Sequence, residues 1–232
     1  MQNVRNQNLF ADYYFLNTDK RAFLAFSTAL LSLIISSCSK DDEVQLLDIV
    51  SESFENLYAP QNGGINPRTG QFTPISGEFT KFNFSTGQIT TSETDWDVAF
   101  RGTDIIVNGG ESLGTIDEPS RTGNAAVYIA SGTMLSVVEV DLQSLSQDST
   151  SGYAIPSGGG NGWYTYQGPP VNIISPTPGK ILVFRTFDGK YAKMEILSYY
   201  KDAPESPDAF TDESRYYTFN YEYQPNEGIT NF

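Results

Sequence analysis

The sequence predicts an all-β protein, a single antiparallel β-sandwich-like domain behind an N-terminal export signal, and three observations carry that prediction. Aromatic residues make up 13% of the 232 residues, with 15 Phe and 14 Tyr, while charged residues stop at 18%; aromatic side chains favour the pleated, half-buried surface of a strand. Gly (20) and Pro (12) are spread along the chain and punctuate it with turns. Two apolar, β-rich runs in KILVFRTFDGKYAKMEILSYY (180–200) flank Asp188-Gly189, a strong hairpin signal.

The chain begins with a segment that stands apart. Lys20-Arg21 precede the apolar run AFLAFSTALLSLIISS, which ends at the one cysteine, Cys38. Positive charge, a short apolar run and small residues before a cleavage point make a secretory signal, and the run falls short of the ~20 residues a membrane-spanning helix needs. Ile35-Ser36-Ser37-Cys38 resembles a bacterial lipobox, in which Cys38 becomes the acylated first residue of the mature protein. The expected organisation is a signal peptide over 1–37, an acidic tether over 38–50 and an all-β domain over 51–232. Removing 1–37 takes away Arg5, Lys20 and Arg21 with Asp12 and Asp19, leaving 11 basic and 26 acidic side chains and a net charge of −15. An acidic chain without a Lys/Arg cluster repels nucleic acid. With one cysteine no intrachain disulfide forms, so the core alone must hold the fold.

Residues 51–70, with Tyr58, Pro60, Gly63, Gly64, Pro67 and Gly70, read as a turn-rich entry. Strand character starts at Gly77 in GEFTKFNFSTGQIT, where Phe82 and Phe84 alternate with Lys81 and Asn83 and Ser85-Thr86-Gly87 makes a turn. In DWDVAFRGTDIIVN (95–108) Trp96, Val98 and Phe100 are expected on one face and Asp97, Ala99 and Arg101 on the other, with a break at Gly102. AVYIASGTM and SVVEV read as two strands around Gly132; the passage 141–161 is polar and glycine-rich, and a loop of that length lines a binding site where one exists. WYTYQ (163–167) reads as a short aromatic strand. A two-residue turn at Asp188-Gly189 pairs Arg185 with Ala192, Val183 with Met194 and Ile181 with Ile196, placing Ile181, Val183, Ala192, Met194 and Ile196 on one face. Residues 201–214 form an acidic loop. The last strand alternates cleanly, Tyr217, Phe219, Tyr221 and Tyr223 on one side and Tyr216, Thr218, Asn220 and Glu222 on the other.

Histidine is absent. That removes the Ser-His-Asp triad, the Cys-His pair, imidazole acid/base chemistry and the commonest zinc ligand. No phosphate-cradling glycine motif appears; NGGES (108–112) reads as a turn, and DAFTDES (208–214) lacks the alternation of a calcium loop. A binding protein, not an enzyme, is the expectation.

WDVAFRGTDIIVNGG (96–110), GWYTY (162–166) and, most specifically, DGKYAKMEILSYY within 180–225 resemble the HmuY family of surface lipoproteins. The match is weak between 111 and 161. Ser-Lys-Asp-Asp-Glu after Cys38 likewise resembles the export signal of Bacteroidetes-type surface lipoproteins. The resemblance implies an all-β, lipid-anchored protein on the outer membrane, exposed at the cell surface, that captures haem and passes it to a TonB-dependent outer-membrane receptor. It also implies two axial iron ligands, His or Met, from the regions around the GW strand. This chain departs from that pattern. Gln167 stands just after GWYTY where a ligand His is expected, and Asn172 stands at a second such place. The loop 141–161 offers only Tyr153 as an iron-binding type. Of the methionines, Met194 reads as core and Met134 as the remaining ligand candidate. Trp163, Tyr164 and Tyr166 are candidates for stacking on a flat macrocycle. The same aromatics suit the alternative, a glycan- or partner-binding surface lipoprotein without haem.

Overall fold

The Asp188-Gly189 hairpin forms, but its loop is one residue longer than the dipeptide signal predicts. In the computed structural model, which describes residues 45–65 and 69–232, β11 (Lys180–Arg185) pairs with β12 (Tyr191–Tyr200) so that Leu182 faces Met194, Phe184 faces Ala192 and Arg185 faces Tyr191. Thr186 closes the loop: its N–H donates to the carbonyl of Lys190 at 2.8 Å, and its hydroxyl accepts from the Lys190 N–H at 2.8 Å. Gly189, at φ 91°, supplies the left-handed residue of a three-residue loop. Because side chains alternate, the one-residue slip regroups the faces. Leu182, Phe184, Ala192, Met194 and Ile196 face the main core, and Ile181, Val183 and Tyr191 face the opposite side. Both faces are covered.

This hairpin sits inside a five-stranded antiparallel sheet with order β1-β13-β12-β11-β8, where β1 is Val50–Tyr58, β8 is Ala126–Ser131 and β13 is Ser214–Gln224. A four-stranded sheet, order β5-β4-β6-β7, uses β4 (Thr80–Asn83), β5 (Gln88–Thr90), β6 (Val98–Arg101) and β7 (Asp104–Val107). Two hairpins complete the strands: β2 (Asn62–Ile65) with β3 (Phe72–Ser76), and β9 (Tyr164–Gln167) with β10 (Ile173–Pro176). The two large sheets meet through one aromatic layer. Phe219 of β13 lies 5.3 Å from Phe82 and 6.0 Å from Phe100, and Phe84 lies 5.1 Å from Phe184. Edge-to-face and tilted rings at this spacing add to the stabilisation from burial.

Several expectations are met and three are corrected. The alternation of the last strand holds: Tyr217, Phe219, Tyr221 and Tyr223 all enter the inter-sheet core. Gly87, at φ 63°, completes the turn after Asn83, whose side-chain oxygen accepts from the N–H groups of Ser85 and Thr86. The first correction concerns residues 51–70, where β1 replaces the predicted turn-rich entry. β1 is an edge strand with one largely exposed face, and a bulge between Phe54 and Leu57 breaks its two-residue period. Trp96 is the second: it precedes β6 and packs with Phe79, Ala99 and Ile106 on the outer side, while Val98 and Phe100 face the core. The third is SVVEV, which forms no strand; residues 133–137 make a turn, pinned by the Lys193 ammonium to the carbonyls of Met134 (2.6 Å) and Val137 (2.8 Å).

The irregular passage between β7 and β9 is held by buried charge. Arg121 donates to Glu118 at 2.7 Å and to Asp148 at 2.9 Å, with all three side chains about 1% exposed. Asp148 also accepts from the N–H groups of Val107 (3.0 Å) and Ala154 (2.9 Å), tying residue 148 to β7. A second polar fastening joins the sheets. The Asp97 carboxylate accepts from the N–H of Phe84 at 2.7 Å and of Phe187 at 2.8 Å. Burial pushes its carboxyl up to about 7 against the pull of those two donors. The predicted signal peptide, Cys38 and the acidic residues behind it lie outside the described residues.

Candidate functional site

The predicted site residues divide among four places. Met194 is in the inter-sheet core. Met134 packs on the outer face of the five-stranded sheet with Ile181, Val183 and Tyr191. Tyr153 packs on the outer face of the four-stranded sheet with Trp96 and Phe79; its hydroxyl lies 3.3 Å from Thr115 Oγ1, and burial raises its pKa. Trp163 and Tyr164 enter the main core, while Tyr166, Gln167 and Asn172 lie at the free end of the β9–β10 hairpin.

That hairpin is rigid at its base and open at its tip. The Trp163 indole N–H donates to the carbonyl of Thr103 at 3.0 Å, and Trp163 packs 5.1 Å from Tyr217 and 5.8 Å from Tyr199. The N–H of Ile174 donates to the Tyr200 hydroxyl at 3.2 Å. Further out, Tyr166 is 50% exposed and Val171 is 46% exposed. The Tyr166 hydroxyl donates to Asn172 Oδ1 at 2.7 Å, and the Asn172 amide donates to the carbonyl of Pro170 at 3.2 Å. Asn172 adopts φ 56°, a left-handed conformation that Asn tolerates. The phenol ring is thus oriented by a residue of the hairpin's own loop.

The end of the polar loop comes to this ring. Gly160 N–H donates to the carbonyl of Tyr164 at 2.8 Å. A β-carbon on Gly159 would stand 3.0 Å from the β-carbon of Tyr166, so a glycine here permits the close approach of loop and hairpin. The last residues of the passage 141–161 therefore stand beside Tyr166.

Charge marks the same place. Between Asp148 and Lys180 there is not one Asp, Glu, Lys or Arg, in a chain whose net charge is −14. The hairpin and its glycine loop carry no charge of their own on an acidic protein, although the loop meets a carboxylate of β7: the Ser157 hydroxyl donates to Asp104 at 2.8 Å. The charge-free stretch is legible in the sequence and is more specific than any single aromatic. Open grooves lie elsewhere among the described residues. Two adjoin on the four-stranded sheet, about 140 and 390 Å³, and share Glu78, Phe79, Lys81 and Glu93. One of about 380 Å³ is lined by Met134, Glu52, Glu222 and neighbouring polar residues.

Haem iron is held in proteins by His, thiolate, Met or Tyr side chains. At the hairpin two side chains are of such a type: Tyr164, which is buried in the main core, and Tyr166, whose hydroxyl is bonded to Asn172. The residues of the hairpin do not fit a two-ligand iron site. No group of three or more His, Cys, Asp or Glu suited to a metal ion occurs among the described residues.

Two packed antiparallel sheets with an aromatic hairpin beside them define an all-β scaffold. The family model of the HmuY protein matches residues 77–221, and the chain belongs to the HmuY family. Among solved structures, the chain is similar to the apo HmuY analogue of Tannerella forsythia, with 16% identity, a TM-score of 0.45, and coverage of 78% of this chain and 100% of that one. It is also similar to a candidate lipoprotein of Bacteroides fragilis, with 13% identity, a TM-score of 0.43, and coverage of 78% and 94%. No curated protein matches significantly.

Proposed function

We propose that this chain is a lipid-anchored, non-enzymatic surface protein that captures haem or a related porphyrin at the β9–β10 hairpin. The observation that carries the proposal is the coincidence of the charge-free stretch with the exposed, oriented ring of Tyr166 inside the family-matched region. Cys38 bears the lipid after removal of residues 1–37, and the tether over 38–50 leads to the domain. Val50, where β1 begins, pairs with Tyr223, whereas Tyr200, which holds the hairpin, pairs with Ser214 at the other end of β13. In this reading the captured ligand is passed on to an outer-membrane receptor. Titration of the purified protein with haemin tests the capture: a Soret shift saturating at micromolar haemin is expected, and an unchanged band at that concentration contradicts it. Metabolic labelling with a fatty acid tests the anchor, with loss of label in Cys38→Ser.

One observation favours a second reading, glycan binding on the same hairpin. An exposed Tyr166 flanked by the amides of Gln167 and Asn172 suits stacking on a sugar ring with hydrogen bonds at its rim. Saturable binding of an oligosaccharide with no response to haemin would select it.

A further inference from the structure

We infer that this chain recognises the face of the porphyrin ring and not its iron, so that metal-free protoporphyrin IX binds about as well as haemin. The inference rests on the porphyrin capture proposed above and specifies its chemistry. Iron-centred capture needs an electron-pair donor on the metal, and the two-ligand capture that the family resemblance implies needs one on each side. The chain has no His, and among the described residues its Met and Tyr candidates are kept apart by the sheets themselves. Met194 lies between the sheets, Met134 outside one and Tyr153 outside the other. The last two are fastened where they are. The backbone carbonyl of Met134 takes the Lys193 ammonium at 2.6 Å, and the Tyr153 hydroxyl sits 3.3 Å from Thr115. No two of these side chains can stand on opposite sides of one iron.

What the hairpin offers instead is suited to a plane. The Tyr166 ring is exposed and oriented through Asn172, Val171 adds an exposed apolar neighbour, and the glycines of 158–160 keep the adjacent loop low. Stacking and apolar contact act on the macrocycle whether or not it holds a metal. Residues 149–179 add no carboxylate of their own against the propionates, which lowers the repulsion an acidic protein imposes.

The test compares haemin with protoporphyrin IX on the same protein, by quenching of intrinsic fluorescence. Dissociation constants within about tenfold of each other, both raised about tenfold or more by Tyr166→Ala, are expected. Haemin binding more than about tenfold tighter than protoporphyrin IX overturns ring recognition and leaves porphyrin capture standing. Equal binding that Tyr166→Ala does not weaken overturns the placement on the hairpin. Failure of both compounds to bind at micromolar concentration overturns capture and ring recognition together.

Discussion

The inter-sheet core and the β9–β10 arm are built from the same residue types and do opposite things with them. In the core, Phe82, Phe100, Phe184 and Phe219 are fully buried, and their rings satisfy one another across the sheets. On the arm, Trp163 and Tyr164 belong to that core, and two residues later Tyr166 leaves it. The difference is where the second sheet ends. Aromatic content alone therefore says how much core a β protein can build, and the point at which the aromatic run outlasts its covering sheet says where a ligand can be met. Between the two regions lies the passage 111–161, fastened by buried charge.

The comparison predicts a graded set of outcomes. The largest is expected from Arg121→Ala, which leaves the buried carboxylates of Glu118 and Asp148 facing each other without their cation. Removing one partner of a buried pair costs about 3–5 kcal/mol. Urea unfolding should show this as a lowered midpoint, and an unchanged midpoint would mean that the network is not what holds the passage. Met194→Ala, deep between the sheets, should cost about 2–5 kcal/mol by the same measurement. Haemin and protoporphyrin binding should persist in that variant while it remains folded.

Asp97 gives a pH-dependent step. Burial pushes its carboxyl up to about 7 in the folded state against 3.8 in the unfolded chain, so the folded protein holds the proton over that interval and the unfolded chain releases it. The stability linked to this group is fully present below about pH 4 and is lost as pH rises through 7, on the order of a few kcal/mol in all. Asp97→Asn removes the titration and turns an amide N–H₂ toward one of two backbone donors. The stability gap between wild type and Asp97→Asn should widen as pH falls from 8 to 5. A gap independent of pH would contradict the raised value. The smallest stability effect belongs to the arm: Tyr166→Ala should change the unfolding free energy by less than about 1 kcal/mol, since half of the residue is already in solvent.

Much of the fold was legible because its core strands obey a period of two. Tyr217, Phe219, Tyr221 and Tyr223 announced the face they occupy, and the Asp-Gly hairpin announced its place. Its register was not legible, because the Thr186 hydroxyl accepts from Lys190 and donates to Asp188, building a longer turn out of side chains. β1 was hidden because an edge strand carries little apolar signal and its bulge places Phe54 and Leu57 three apart on the buried side. The Arg121 network was hidden for another reason: its members are spread over 118–148, and nothing in a polar passage marks which charges will be buried. At the site, the aromatics were legible as a group but not their separation into core and surface. The absence of charge from 149 to 179 was legible, and it is the feature that singles out the arm.

The central claim is that the ligand meets the uncharged arm and not a methionine or tyrosine elsewhere. It is tested most directly by haemin affinity in Tyr166→Ala beside Met134→Ala, with thermal unfolding confirming that both are folded. A loss of about tenfold or more in Tyr166→Ala with Met134→Ala within about twofold of wild type is the predicted result. Retained affinity in Tyr166→Ala and its loss in Met134→Ala would contradict it.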